Sequence, residues 1–359
     1  MSTHYGHNID IEIYGGSHDE KIGVIAMGLP KGTVIDMDSL LAFMARRAPG
    51  RDELSTARRE ADTPVFIEGV TDGVITGDTL HAVIYNTNQR SSDYKNLSFI
   101  PRPSHADFSA RMKYGESVDL RGGGHFSGRL TAPMCIVGGI CLQLLKERGI
   151  HIGAHLYSVG KESDIPFDSV SLSQSDIERL HSMPFPALDE ECAEKMKKEI
   201  SDAKADGDSV GAVIECAAIG LSAGLGEHMF MGVENRISSV IFSIPAVKGI
   251  EFGSGFDGAT KRGSENNDPF YTDGTKIYTK TNNCGGILGG MTNGMPLIFR
   301  AAMKPTPSIF KEQDSVDMVT MENVKLTIKG RHDPCVAVRA VPVFVAACAI
   351  AVYDMICDG

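Results

Sequence analysis

Leu130-Thr-Ala-Pro-Met-Cys-Ile-Val-Gly-Gly-Ile-Cys-Leu-Gln-Leu-Leu145 is the stretch that decides the fold class of this chain. Leu130, Met134, Val137, Cys141 and Leu144 recur at helical spacing, and Gly149 closes the run. With Ile136, Ile140 and Leu145 added, the segment is apolar almost all round, which predicts a helix buried on every side. Residues 341–357 repeat that pattern and predict a second buried helix. Two further helices read as amphipathic. Residues 38–47 carry Leu40, Leu41 and Met44 and stop at Ala48-Pro49-Gly50, while residues 189–205 are charged, with Met196, Ile200 and Ala203 on an inner stripe. Strand-like alternation covers residues 150–156, and β-rich runs cover 210–219, 239–244 and 325–328. Strands and helices mix without a regular βαβ rhythm, so the class is α+β.

Composition narrows the function. The 359 residues are 42% hydrophobic and 23% charged, a globular mix that supports a sizeable core. A net charge of −11 argues against a nucleic-acid or acidic-membrane binder, since phosphate backbones call for a basic surface. The eight cysteines form no Cys-x-x-Cys pair, and no His-Glu-x-x-His spacing occurs, so neither a disulfide framework nor a metal site is expected. The apolar runs 132–145 and 341–353 fall short of the roughly 20 residues of a membrane span, and residues 1–10 carry no apolar signal core. The expected compartment is the cytoplasm.

Two faint echoes suggest related halves. Gly69, Gly73, Gly77 and Leu80 share their spacing with Gly286, Gly290, Gly294 and Leu297, and Gly16-Ser-His18…Pro30-Lys-Gly32 resembles Gly226-Glu-His228…Pro245…Gly249. Residues 249–290 read as a long glycine-rich loop, a kind of segment that is uncommon unless functional.

Several constellations could carry chemistry. Arg46, Arg47, Arg51, Arg58 and Arg59 crowd one stretch of an acidic chain; guanidinium forks suit a polyanionic ligand, though a solvated helix end would carry the same charges. Arg121-Gly-Gly-Gly-His125-Phe-Ser127-Gly-Arg129 runs into the first buried helix, either as an anion-binding turn with Ser127 or Thr131 as the N-cap or as a flexible loop. Lys304-Pro-Thr-Pro-Ser308 is stiffened by its prolines and displays an ammonium and two hydroxyls, as a rigid edge loop also would. His18, in Gly15-Gly-Ser-His-Asp19, and His105, in Arg-Pro-Ser-His-Ala-Asp107, are the natural acid–base candidates, although an isolated histidine is more often structural. Gly330-Arg-His-Asp-Pro-Cys335 places Arg331 beside Asp333, an ion pair or an anion clamp with a carboxylate.

Taken together these segments resemble the chorismate synthase family nearly end to end. The resemblance rests on Arg-Arg-Ala-Pro-Gly50, Thr-Ala-Arg-Arg-Glu60, Asn-Thr-Asn-Gln-Arg-Ser91, Lys-Tyr-Gly115, Gly-Gly-Ile-Leu-Gly-Gly290, Lys-Pro-Thr-Pro-Ser308 and Gly-Arg-His-Asp-Pro-Cys-Val336. It implies one domain over residues 1–359: a β-α-β sandwich of two internally related halves, with a central helical layer and outer antiparallel sheets. It also implies a homotetramer and a lyase that eliminates phosphate from 5-enolpyruvylshikimate-3-phosphate. Reduced FMN would be the cofactor and NADPH a possible reductant.

By that resemblance His18 protonates the departing phosphate, His105 donates to the reduced flavin, and Asp333 with Ser17 assists deprotonation at flavin N5. His125, Phe126, Ser127, Gly289, Lys304, Pro305, Thr306, Pro307, Ser308 and Arg331 fall on FMN-binding positions, while Arg47 and Arg129 contact substrate or the nicotinamide nucleotide. Two motifs depart from the family pattern. Gly15-Gly-Ser-His-Asp19 stands where Gly-Glu-Ser-His-Gly is usual, and Gly124-His-Phe-Ser-Gly-Arg129 replaces Gly-Arg-Ser-Ser-Ala-Arg.

Overall fold

The computed structural model describes residues 1–50, 54, 60–86, 99–328, 330 and 332–358. Two five-stranded antiparallel sheets lie outside a layer of helices. The first sheet runs Ser2–Gly6, Asp10–Gly15, Lys21–Met27, Thr79–Tyr85, Val65–Glu68. Ile22, Val24 and Ala26 stand opposite Ile84, Ala82 and Leu80, and all six are buried, because alternate residues of a strand share one face. The second sheet runs Val247–Phe252, Leu297–Met303, Ala212–Ile219, His151–Val159, Glu162–Ser163. Its inward residues Ile214, Cys216 and Ala218 oppose Ala301, Phe299 and Leu297.

Between the sheets lie the two helices expected to be buried, Thr131–Lys146 and Ala337–Ile356. Gly138 makes their contact possible: a Cβ there would strike the Ala346 backbone, so the two axes approach closely at this point. Met37–Arg47 and Val233–Ile241 complete the layer, the former capped by Asp36, which accepts from Ser39 N. The last helix is longer than its apolar run suggested. At 20 residues it matches a membrane span in length and composition, yet it is almost wholly buried, so burial and not length marks it as a core helix.

The halves are related by topology. With insertions set aside, each shares two strands, a helix, a strand, a tight hairpin, a strand and a long buried helix, in that order. Four adjacent strands of each sheet correspond, while the edge strands Ser2–Gly6 and Glu162–Ser163 do not, one preceding and the other following its neighbour in the chain. The first glycine echo is the sequence trace of this repeat. Gly69 (φ 78°) and Gly286 (φ 84°) each open the hairpin, and each lies against the backbone at the start of the following strand, where no Cβ fits. The second echo is not part of it: Gly16 lies in a turn between two strands, Gly226 between a strand and a helix.

Two expectations are corrected. Residues 239–244 are not a strand but the end of Val233–Ile241 and its following turn; Val233, Ile237, Val240 and Ile241 form a buried helical stripe whose β-branched residues imitate a strand. Residues 249–290 are not a long loop either. They contain the end of Val247–Phe252, the short helices Gly255–Gly258 and Gly263–Asn266, the hairpin Phe270–Thr272 with Ile277–Thr279, and Ile287–Leu288.

Candidate active site

A cleft of about 1040 Å³ gathers residues from both halves. In a chain of net charge −11, the described residues of its walls include six cations, Arg47, Arg102, Arg129, Lys248, Lys304 and Arg339, against two carboxylates, Glu60 and Asp333. His18, His105, His125 and His332 face the same space.

The glycine run seats two of these histidines. Gly122, Gly123 and Gly124 all take positive φ (58°, 94° and 53°). A Cβ on Gly122 would overlap the His18 ring, and one on Gly123 would lie 3.3 Å from His105 Nε2. The run therefore admits two imidazoles against bare backbone. Ser17 is buried and donates its hydroxyl to Arg121 O (3.1 Å), with His18 Nδ1 3.2 Å away, and Ser17 N donates to Gly124 O. His125 Nδ1 lies 2.8 Å from Gly15 O, to which it donates, tying the same two loops together. Phe126 lines the cleft beside Tyr114. Neither candidate caps Thr131–Lys146 itself: Ser127 accepts from Arg129 N at 3.2 Å and so caps the tight turn Gly128–Leu130 that leads into it.

His105 follows Ser104, a non-glycine residue at φ 57° whose carbonyl accepts from Lys304 Nζ at 2.8 Å. The stiff Lys304 segment and the histidine turn are thus one structural unit. Burial lowers the Lys304 ammonium, and Lys248 lowers it further. Behind His105, Asp107 and Arg102 form a buried bidentate pair, with Nε to Oδ2 and Nη2 to Oδ1 both at 2.7 Å. Burial opposes the Asp107 charge, but hydrogen bonds from Arg102 and His105 outweigh it and hold the carboxyl well below its ordinary range.

Arg47 and Arg129 line the cleft, yet most of their donors are engaged inside the protein. They share the carboxylate of Asp62, and Arg47 also donates to Thr131 Oγ1 (3.1 Å), Arg129 to Asn86 Oδ1 (3.0 Å). Burial raises Asp62, while the two guanidiniums, the stronger influence together, bring it below its ordinary value. Arg129 Nη2 has no hydrogen-bond partner among the described residues.

Asp333 faces the cleft and, among the described residues, accepts from Arg339 (Nη1 to Oδ2, 2.6 Å), which also donates to Arg47 O. Arg331, the partner expected from sequence, lies outside the described residues, as do Arg51, Arg58 and Arg59. Lys304, Thr306, Pro307 and Ser308 line the cleft; Pro305 turns away toward Gly211. Gly289 is not brought to the cleft and sits at the tip of the Ile287–Leu288 and Met291–Thr292 hairpin. Sequence reading missed Arg102, Asp107, Asp62, Lys248, His332 and Arg339. Arg102 and Asp107 flank His105 closely enough to have been found, whereas Arg339 lies inside an apolar helix and reaches the site only through tertiary packing.

Comparison with known proteins follows the same lines. A family model described as chorismate synthase matches residues 9–357. The chain is 41% identical to the protein named chorismate synthase of Lancefieldella parvula, over 99% of this chain and 96% of that one. It is 40% identical to the one of Korarchaeum cryptofilum, over 98% and 96%. Among solved structures, one titled as the crystal structure of chorismate synthase superposes with a TM-score of 0.74 at 27% identity, covering 98% of this chain and 92% of the other.

Proposed function

The chain belongs to the chorismate synthase family, and from that premise we propose that it eliminates phosphate from 5-enolpyruvylshikimate-3-phosphate, using reduced FMN, to give chorismate. The observation that carries this reading is the cationic cleft of an acidic protein. Six cations over two carboxylates, among the described residues, suit a ligand pair that brings two carboxylates and two phosphates.

The residues present fit a flavin nucleotide. Thr306 Oγ1 and both ring nitrogens of His332 are buried polar atoms without a partner among the described residues, on residues that line the cleft with Lys304 and Ser308. Buried polar groups are ordinarily satisfied, so these await a ligand. When bound, reduced FMN supplies the electron-rich centre that allows an unactivated C–H bond to break. Lys304, Thr306, Pro307, Ser308 and His332 would hold it.

The protein's own residues position groups and move protons. Ser17 and the glycine seat fix His18 so that its ring can protonate a phosphate as charge gathers on it, and the neighbouring arginines stabilise that charge. His105, set on Gly123, is the second donor, and Asp333, oriented by Arg339, accepts a proton. The same premise carries two more proposals, assembly as a homotetramer and a cytoplasmic location; light scattering of the purified protein tests the first.

The decisive experiment is anaerobic. The protein is mixed with the enolpyruvyl phosphate and chemically reduced FMN, and phosphate and chorismate are measured. Stoichiometric release of both is expected. FMN binding without phosphate release would leave a non-catalytic flavin protein, and NADPH oxidation without phosphate release would indicate a flavin reductase.

A further inference from the structure

We propose that Asp107 is a positioning residue for His105 and that Arg102 clamps Asp107 in that task. The inference rests on the reading of His105 as a proton donor; it adds Asp107, and it gives Arg102 a task besides its charge in the cleft.

Asp107 Oδ1 lies 2.7 Å from His105 Nδ1, and Oδ2 accepts from Arg102 Nε at 2.7 Å and from Arg102 N at 3.0 Å. Both members of the pair are nearly inaccessible to solvent, and His105 is only slightly more open. A neutral imidazole carries one N–H, and its position is set by the stronger acceptor nearby. An ionised carboxylate at 2.7 Å cannot face a bare ring nitrogen, so the hydrogen lies on Nδ1. Arg102 Nη2 is also 3.1 Å from Nδ1, but it donates to Asp107 Oδ1 at 2.7 Å, and both donors converge on that oxygen. The bidentate clamp leaves the carboxylate no rotation that would release Nδ1.

Fixing Nδ1–H fixes the other nitrogen. Nε2 lies on the Gly123 side of the ring, where glycine leaves room, and the ring itself lines the cleft. A proton that His105 takes up therefore goes to Nε2, and Asp107 stabilises the cation that results. This is the division of labour of a carboxylate behind a catalytic histidine. Lys304, by holding Ser104 O, fixes the backbone of the same turn.

The test begins without mutation. ¹⁵N spectra of the full-length protein, labelled at histidine and assigned by loss in His105→Ala, should show His105 protonated at Nδ1 and unprotonated at Nε2 when neutral. The Nε2–H tautomer would overturn the proposal. Asp107→Asn should reverse the tautomer and lower kcat about 10²- to 10⁴-fold, with KM for the enolpyruvyl phosphate and FMN affinity changed less than about threefold. In a His105→Ala background Asp107→Asn should add no further loss; a full additional loss would mean that Asp107 acts elsewhere. Should Asp107→Asn fail to fold, the wild-type spectrum still decides. If His105→Ala turns over like wild type, the role of His105 falls, and the spectrum judges Asp107 independently.

Discussion

His332 should make stability depend on pH in a measurable way. Burial lowers its ring from the ordinary 6.5 to about 4, and the positive charge of Arg102 adds to the effect against the opposing pull of Asp333. The folded protein thus refuses a proton that the unfolded chain accepts. Stability from this residue is complete above pH 6.5, declines as the pH falls, and levels off below about 4. At about 1.36 kcal/mol per pH unit the whole interval is worth roughly 3 kcal/mol, of which about 2 kcal/mol is lost by about pH 5. His332→Gln keeps a hydrogen-bonding side chain of similar size that takes no proton. Urea unfolding of both proteins at about pH 7.5 and about pH 5, at one protein concentration because assembly shifts apparent stability, isolates the residue. The variant should gain about 2 kcal/mol on wild type between the two pH values. Parallel losses, within about 0.5 kcal/mol, would refute the reasoning, since every other group titrates alike in the two proteins.

Asp354 is fully buried and accepts from Tyr5 Oη, Asn8 N, Ile9 N and Arg236 Nη2, joining the first strands to the last helix; Asp354→Ala should cost about 3–5 kcal/mol in chemical denaturation. Gly69→Ala and Gly286→Ala should each cost at least about 2 kcal/mol by the same measurement, because both meet backbone at positive φ; unequal effects would speak against equivalent places in the repeat. Asp333→Asn should leave FMN affinity within about threefold while turnover falls about 10- to 10⁴-fold, because the carboxylate handles a proton more than it binds. Loss of flavin binding in a folded protein would move Asp333 to a structural role.

Local pattern alone located the two buried helices, the capped helix ending at Arg47 and the strands His151–Val159 and Ala212–Ile219, because each follows from a period of 3.6 or 2. The glycine spacing at 69–80 and 286–297 betrayed the repeat, because only glycine fits where the hairpin meets backbone. The motif residues Ser17, His18, His105, His125, Lys304 and Asp333 were legible as well, and all but Ser17 line one cleft, with Ser17 buried just behind His18. Tertiary structure decided what each of them touches. Asp333 is met by Arg339, from a helix that periodicity reads as core. Asp62 draws Arg47 and Arg129 into one buried network, and Lys304 reaches across 200 residues of sequence to the turn before His105. Gly289, named with the site by its motif, lies in a hairpin turn outside the residues that line the cleft. The physical reason is common to these cases: hydrophobic period encodes which face of an element is buried, but the pairing of charges depends on which elements pack together, and no local pattern records that.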